Sequence, residues 1–283
     1  MTSSGEVFFS LYWGFMNIVL FHSDEIDSLL PLADQRVQHL QRILRKEVGD
    51  TFEAGIINGP SGVAQITAWN EEGLSFGFTP TGNGKPLYPL TMIIGFPRPI
   101  QLKRLLRDIA SLGVSQVHLC GTELGEKSYL KASLSQPEEL AAMLKDGSIQ
   151  AKSTHVPQVF VHRDVAACLE AAAATNSVRV AGNSSIRVAG NTSIKVALDN
   201  VEPTVSLNKF LMQQEAELKR AGASLQEVGV VAAIGSERGW TAAERKLFCE
   251  AGFTLCSMGQ RVLRTETAAT TATAIILSQM EIL

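Results

Sequence analysis

Two short stretches near the C-terminal end gather side chains able to do chemistry. Gly235-Ser-Glu-Arg-Gly239 offers the carboxylate of Glu237, and Met258-Gly-Gln-Arg-Val-Leu-Arg-Thr-Glu-Thr-Ala268 offers the guanidinium of Arg264 and the carboxylate of Glu266. A carboxylate beside a reacting group can accept a proton, and a fixed cation can stabilise the anion left behind. Glycines at 235, 239 and 259 let the main chain approach a ligand closely, so peptide N–H and C=O groups are available for recognition too. A phosphate-cradling loop is a weaker match, because the first stretch lacks the Lys-Ser/Thr pair of a Walker sequence.

The flanking pattern dictates the elements that hold these stretches. The apolar run 228–234, framed by Gly229 and Gly235, is too short for an ordinary helix and reads as a buried strand. Thr241-Ala-Ala-Glu244 has the spacing of a capping box, and the helix it starts should stop at Gly252. A second strand follows over 253–257, then a loop over 258–263 and a helix over 265–278 rich in Ala, Thr and Ile. Both loops therefore leave the carboxyl ends of neighbouring strands, where open α/β sheets bind ligands.

These residues resemble the SPOUT methyltransferases and, within them, the RsmE-type family that methylates N3 of a uridine in 16S ribosomal RNA. The family's first loop usually reads Gly-Pro-Glu-Gly-Gly, matched in part by Gly235-Ser-Glu-Arg-Gly239. Its second, Leu-Gly-x-Arg-Ile-Leu-Arg-Thr-Glu-Thr-Ala, is matched along 258–268. The resemblance implies an α/β fold in which a small PUA-like β-barrel precedes a trefoil-knotted SPOUT methyltransferase domain. It also implies S-adenosylmethionine as cofactor, lined by Leu198, Gly235, Glu237, Gly239, Met258, Gly259, Val262, Leu263 and Thr265. Because the uridine N3 proton must leave, Glu237 and Glu266 are candidate acceptors and Arg264 a candidate stabilising cation. Partners implied are 16S rRNA or the small ribosomal subunit and a second copy of the chain, in the cytoplasm. Two other readings stand beside this one: a non-catalytic RNA-binding or ribosome-assembly protein of the same fold, and the same chemistry on another RNA. Arg238 occupies a family glycine position, and a positive φ there would cost an arginine about 1 kcal/mol or more.

The totals are compatible with this. With 283 residues, 45% of them hydrophobic and 19% charged, the chain suits a globular protein of one large or two modest domains. A net charge of −3 excludes a uniformly basic nucleic-acid binder, so RNA contacts must rest on local patches. Cys120, Cys168, Cys249 and Cys256 form no C-x-x-C pair and the five histidines are dispersed, so the thiols read as reduced, packed hydrophobes and no metal is expected. The aromatic-rich run 7–21 is short of a membrane span and lacks signal-peptide features. Residues 1–15 read as a non-native extension upstream of a natural start at Met16.

In chain order, 36–50 reads as a helix with Val37, Leu40, Ile43 and Leu44 on its apolar face. Short β-prone runs with tight turns follow, suggesting a small barrel over 16–80. His39 to Arg45 resembles the family's PUA-like domain, which implies that Arg36, His39, Arg42, Arg45 and Lys46 grip RNA. Pro- and Gly-rich 81–89 is a linker, and 90–283 forms the methyltransferase domain. That domain opens with a strand over 90–95, a helix with Leu102, Leu105, Leu106, Ile109 and Leu112 inward, and a strand over 114–120. An internal repeat of eight residues runs through 177–197; its earlier copies, near 177–193, read as an inserted hairpin or loop. A helix over 206–220 completes the domain.

Overall fold

A computed structural model describes residues 17–26, 28–129, 132, 135–175 and 193–283. The expected extension over 1–15 and the repeat copies near 177–193, apart from Ser193, lie outside the described residues. The chain divides into two compact units, one running to Pro86 and including Ser148–Val156, the other formed by Leu87–Gly147 and Pro157–Leu283. Ser148–Val156 thus leaves the domain to which its sequence position assigned it, held in the first unit by bonds such as Asn58 N–H to the Thr154 carbonyl at 2.8 Å.

In the first unit, β1 (Val19–Phe21), β2 (Leu30–Pro31), β3 (Thr51–Ile56), β4 (Ser61–Trp69) and β5 (Gly73–Gly82) form a sheet in the order β1-β3-β4-β5-β2. Only β1–β3 is a parallel pair. Alternation along the strands turns Phe52, Ala54, Ala64 and Ile66 inward and Glu53 and Gln65 outward. Phe21 and Phe76 stack at 4.6 Å in the resulting core, with Phe52 tilted against both.

The helix expected over 36–50 is shorter and changes pitch. One α turn, α1 (Gln35–Gln38), widens into a π turn over His39–Ile43, where Leu44 N–H reaches the His39 carbonyl at 3.0 Å. The wider turn breaks the 3.6-residue phase. Val37 and Leu40 stay buried, whereas Ile43 and Leu44 emerge 51% and 37% exposed. Arg45, at φ 50°, ends the element.

The second unit is built on β6 (Tyr88–Gly95), β7 (Val114–Cys120), β8 (Gln158–His162), β9 (Ile194–Leu198), β10 (Val205–Ser206), β11 (Val230–Ile234) and β12 (Thr254–Ser257). Every pair in the order β10-β12-β9-β11-β6-β7-β8 is parallel. A parallel sheet covered on both faces needs strands without polar alternation, and all five residues of β11 are buried. The strand expected over 228–234 begins at Val230, because Leu225–Val228 forms a helical turn, α6, capped by Ser224 and Glu227.

Around this sheet lie α2 (Pro99–Ser111), α3 (Pro137–Gln150), α4 (Val165–Thr175), α5 (Leu207–Arg220), α7 (Ala242–Glu250) and α8 (Thr265–Gln279). Proline at its start and Gly113 just beyond its end delimit α2, whose Leu102, Leu105, Leu106 and Ile109 are buried as expected. The small residues of α8, among them Ala268, Ala269, Ala272 and Thr273, are buried against α2, α5 and β11. Packing within the chain thus accounts for its low polarity. Among the described residues no helix is long and apolar enough to cross a membrane.

Candidate active site at the carboxyl edge of the parallel sheet

Strand register brings the candidate loops to one level. Leu198 on β9 pairs with Ile234 on β11 and with Cys256 on β12, so the chain leaves three adjacent strands side by side. The segments that follow begin at Asp199, Gly235 and Met258. Ile234 also pairs with Ile94, which sets the end of β6 next to Gly235.

The loop after β11 is a tight turn closed by the Gly239 N–H to Ser236 carbonyl bond at 2.9 Å. A Cβ on Gly235 would lie 2.8 Å from Gly239 Cα, so close approach, not backbone angle, requires glycine there. The left-handed residue is Gly239, at φ 70°, and Arg238 is outside that region with its side chain exposed. The strain expected for an arginine at 238 is therefore not incurred. Glu237 is exposed and its Oε1 accepts the Arg98 N–H at 2.9 Å, fixing the turn to the start of α2. Below it, the Ser236 and Thr122 hydroxyls pair at 3.0 Å.

The loop after β12 carries Met258, half-buried, and Gly259, at φ 105°. Val262 is 79% exposed, Leu263 half-buried and Arg264 exposed at the N-cap of α8. Thr265 and Glu266 turn inward. The Thr265 hydroxyl donates to the Gly235 carbonyl at 3.4 Å, linking the two loops, and Glu266 Oε2 is buried without a hydrogen-bond partner.

The supports behind these loops were only partly readable from sequence. Trp240 Nε1 donates to the Leu198 carbonyl at 3.1 Å. Arg245 Nε bonds Asp199 Oδ2 at 3.0 Å, and the same oxygen accepts from the N–H groups of Val201 and Glu202, shaping the segment after β9. Glu244 closes the expected capping box with Thr241, while its Oε1 also accepts the Glu123 N–H at 2.9 Å. The box was visible as a local spacing; the other bonds join residues far apart in the chain.

In the first unit, the expected RNA-contacting set divides. Arg36 is a structural cation: it pairs with Glu25 at 2.6 Å and Asp34 at 2.7 Å, donates to the Leu20 carbonyl and lies over the Phe21 ring at 5.0 Å. Burial alone would lower its pKa, yet the two carboxylates raise it, and its hydrogen bond to Glu25 brings that carboxyl down to about 2. His39 is also inward, 3% exposed, with burial lowering its pKa. The helical phase that carries Val37 and Leu40 into the core carries these two with them, so both leave the solvent-facing basic set. Arg42 and Arg45 are exposed, and Lys46 partly so.

Comparison with known proteins gives the family. Residues 83–277 match a family model described as an RNA methyltransferase domain. The chain is 40% identical over 268 residues to the ribosomal RNA small subunit methyltransferase E of Treponema pallidum, covering 93% of this chain and 91% of that one. It is 26% identical over 266 residues to ribosomal RNA small subunit methyltransferase E 1 of Borreliella burgdorferi, covering 94% and 99% respectively. The structure of ribosomal RNA small subunit methyltransferase E from Neisseria gonorrhoeae bound to S-adenosyl methionine superposes with a TM-score of 0.68 at 19% identity, over 93% of this chain and 98% of that one, a likeness of fold. With a model matched from 83 to 277 and a relative this similar over nearly its whole length, the chain belongs to the RNA methyltransferase family that includes the small subunit methyltransferase E proteins.

Proposed function

We propose that the chain methylates N3 of a uridine in 16S ribosomal RNA, using S-adenosylmethionine held by the loops after β9, β11 and β12. The observation that carries this reading is the register of Leu198, Ile234 and Cys256, which sets peptide groups of three loops side by side. Thr265 and Trp240 bind those loops to one another. Such a cradle suits an adenosine, whose base edge can be met by main-chain donors and acceptors, and the unpartnered Glu266 Oε2 fits a site completed by a ligand. The donor supplies a methyl group on a sulfonium, so the protein's task is to hold the acceptor nitrogen in line with it.

The chain's own groups then manage the proton. Glu266, with an oxygen free of other bonds, accepts the N3 proton, and Arg264, exposed at the same helix start, steadies the anionic base. Glu237 positions the first loop through Arg98. The sheet order is compatible with the trefoil knot we infer: β11 enters between β9 and β6, and β12 then enters between β9 and β10. The five-stranded sheet of the first unit serves as the PUA-like RNA-binding barrel expected over 16–80; β5 and β6 take up the ends of the expected 81–89 linker and leave 83–87 between them. Its exposed Arg42 and Arg45 and half-buried Lys46, beside exposed Ile43, Leu44 and Val48, combine charges for phosphates with an apolar surface for bases. The chain works as a homodimer in the cytoplasm on the small ribosomal subunit or its RNA.

The test is incubation with labelled S-adenosylmethionine and unmodified 16S rRNA or small subunits, followed by nucleoside mass spectrometry. N3-methyluridine at one position supports the proposal. RNA binding without methyl transfer points to an assembly protein, and a methyl group on another RNA redirects the substrate; either result overturns it.

A further inference from the structure

Away from the loops after β11 and β12, the fold gathers metal-ligating side chains that the sequence keeps apart. His118 lies on β7, His162 on the adjacent β8 and Cys168 on α4. Cys120 pairs in register with His162, and the two-residue period puts His118 and Cys120 on the same face of β7. One donor atom from each of His118, His162 and Cys168 lies within 4.8 Å of the others. The imidazoles meet edge to edge, Nδ1 of His118 2.9 Å from Nε2 of His162, with ring planes 10° apart. Cys120 belongs to the same buried core cluster as Cys168, so a second thiol is available to this group.

A purely structural packing leaves this cluster poorly satisfied. His118 and both thiols are fully buried, and His118 Nε2 has no hydrogen-bond partner. A desolvated donor or acceptor left without a partner ordinarily costs about 1–3 kcal/mol. Val165, Ala172 and Phe248 share the buried apolar cluster of the two thiols, so the donors lie in a water-poor environment. Methyl transfer at the carboxyl edge uses none of them.

We propose that His118, His162, Cys168 and Cys120 form a binding site for one divalent cation of the zinc class. Two imidazoles and two thiolates are the donor set of a closed tetrahedral structural site. Loading releases both thiol protons to solvent, and the two thiolates neutralise the dication, so no net charge is buried. Metal–ligand bonds of about 2.0–2.3 Å require donors roughly 3.3–3.8 Å apart, so among His118, His162 and Cys168 any donor pair near the 4.8 Å limit closes by about 1 Å on loading. The ion joins β7, β8 and α4 and acts through stability, without touching the methyl-transfer chemistry.

The full chain, stripped with chelator and checked for folding by circular dichroism, is titrated with Co²⁺, and separately its zinc content after purification is measured by plasma mass spectrometry. The expected result is about one ion per chain, a cobalt–thiolate charge-transfer band, and a lower thermal midpoint in the stripped chain. Cys168→Ser and His162→Ala each weaken binding by roughly tenfold or more, while Cys249→Ser, at an exposed thiol elsewhere, leaves it unchanged. Absence of zinc together with absence of the band in the unaltered chain overturns the proposal, as does full zinc content in folded Cys168→Ser.

Discussion

The indole of Trp240 donates to the main-chain carbonyl of Leu198 at 3.1 Å from a side chain only 2% exposed. One bond thereby holds the turn after β11 against the end of β9, and it fixes where the peptide groups of both loops point. Trp240→Phe keeps a ring against Phe248, at 4.7 Å in the native pair, but removes the donor. Leaving the carbonyl unsatisfied costs about 1–3 kcal/mol, which in a chain of this size lowers the melting midpoint by about 2–4 °C per kcal/mol. Differential scanning calorimetry checks the shift, and an unchanged midpoint contradicts the role given to the bond.

Gly235 and Gly239 are glycines for different reasons, and the difference is measurable. Gly235→Ala drives a methyl into the Gly239 backbone and weakens S-adenosylhomocysteine binding by more than about tenfold. Gly239→Ala meets nothing within 4 Å and incurs only the left-handed strain, about 1–2 kcal/mol. Arg238→Gly, at an exposed side chain whose φ needs no glycine, changes affinity by less than about twofold. Equilibrium binding of the three variants gives the order.

Glu266→Gln preserves size and removes the proton acceptor. Its kcat falls by about 10²–10⁴ while cofactor affinity holds. Single-turnover methyl transfer separates the two quantities, and a kcat within about threefold of the unaltered chain moves the proton to another group.

Acid sensitivity should originate in the first unit. The Arg36 hydrogen bond holds the Glu25 carboxyl down at about 2 against an ordinary 4.5, and Asp34 is lowered too, its hydrogen bonds from Arg36 outweighing burial. A carboxyl whose folded pKa is depressed contributes stability in full above its unfolded value and loses it as pH falls through the folded one. The loss therefore runs from about pH 4.5 down to about 2. Arg36→Met removes the cation, so urea midpoints measured from pH 5 to pH 2.5 should fall by roughly half as much as in the unaltered chain, or less. An equal fall would place the acid-labile groups elsewhere.

Local signals in the sequence carried much of this architecture. The Thr241–Glu244 box, the stop at Gly252 and the unbroken run 265–278 each encode their element within a few residues, and α7 and α8 form where they predict. The turn at His39–Ile43 was not readable, since a widened pitch depends on packing against Phe21 and its neighbours, which are distant in sequence; the inward placement of Arg36 was hidden likewise, because it rests on its pairing with Glu25 and Asp34. The same limit hid the Arg98–Glu237 and Asp199–Arg245 bonds and the meeting of His118 with His162, all made between residues far apart in the chain.

Isothermal titration of the full chain with S-adenosylhomocysteine tests the central claim most directly. The register of Leu198, Ile234 and Cys256 and the Thr265–Gly235 link predict saturable binding at micromolar ligand, abolished by Gly235→Val, whose side chain would enter the Gly239 backbone. No heat at millimolar ligand, or undiminished binding by folded Gly235→Val, would contradict the placing of the methyl donor in these loops.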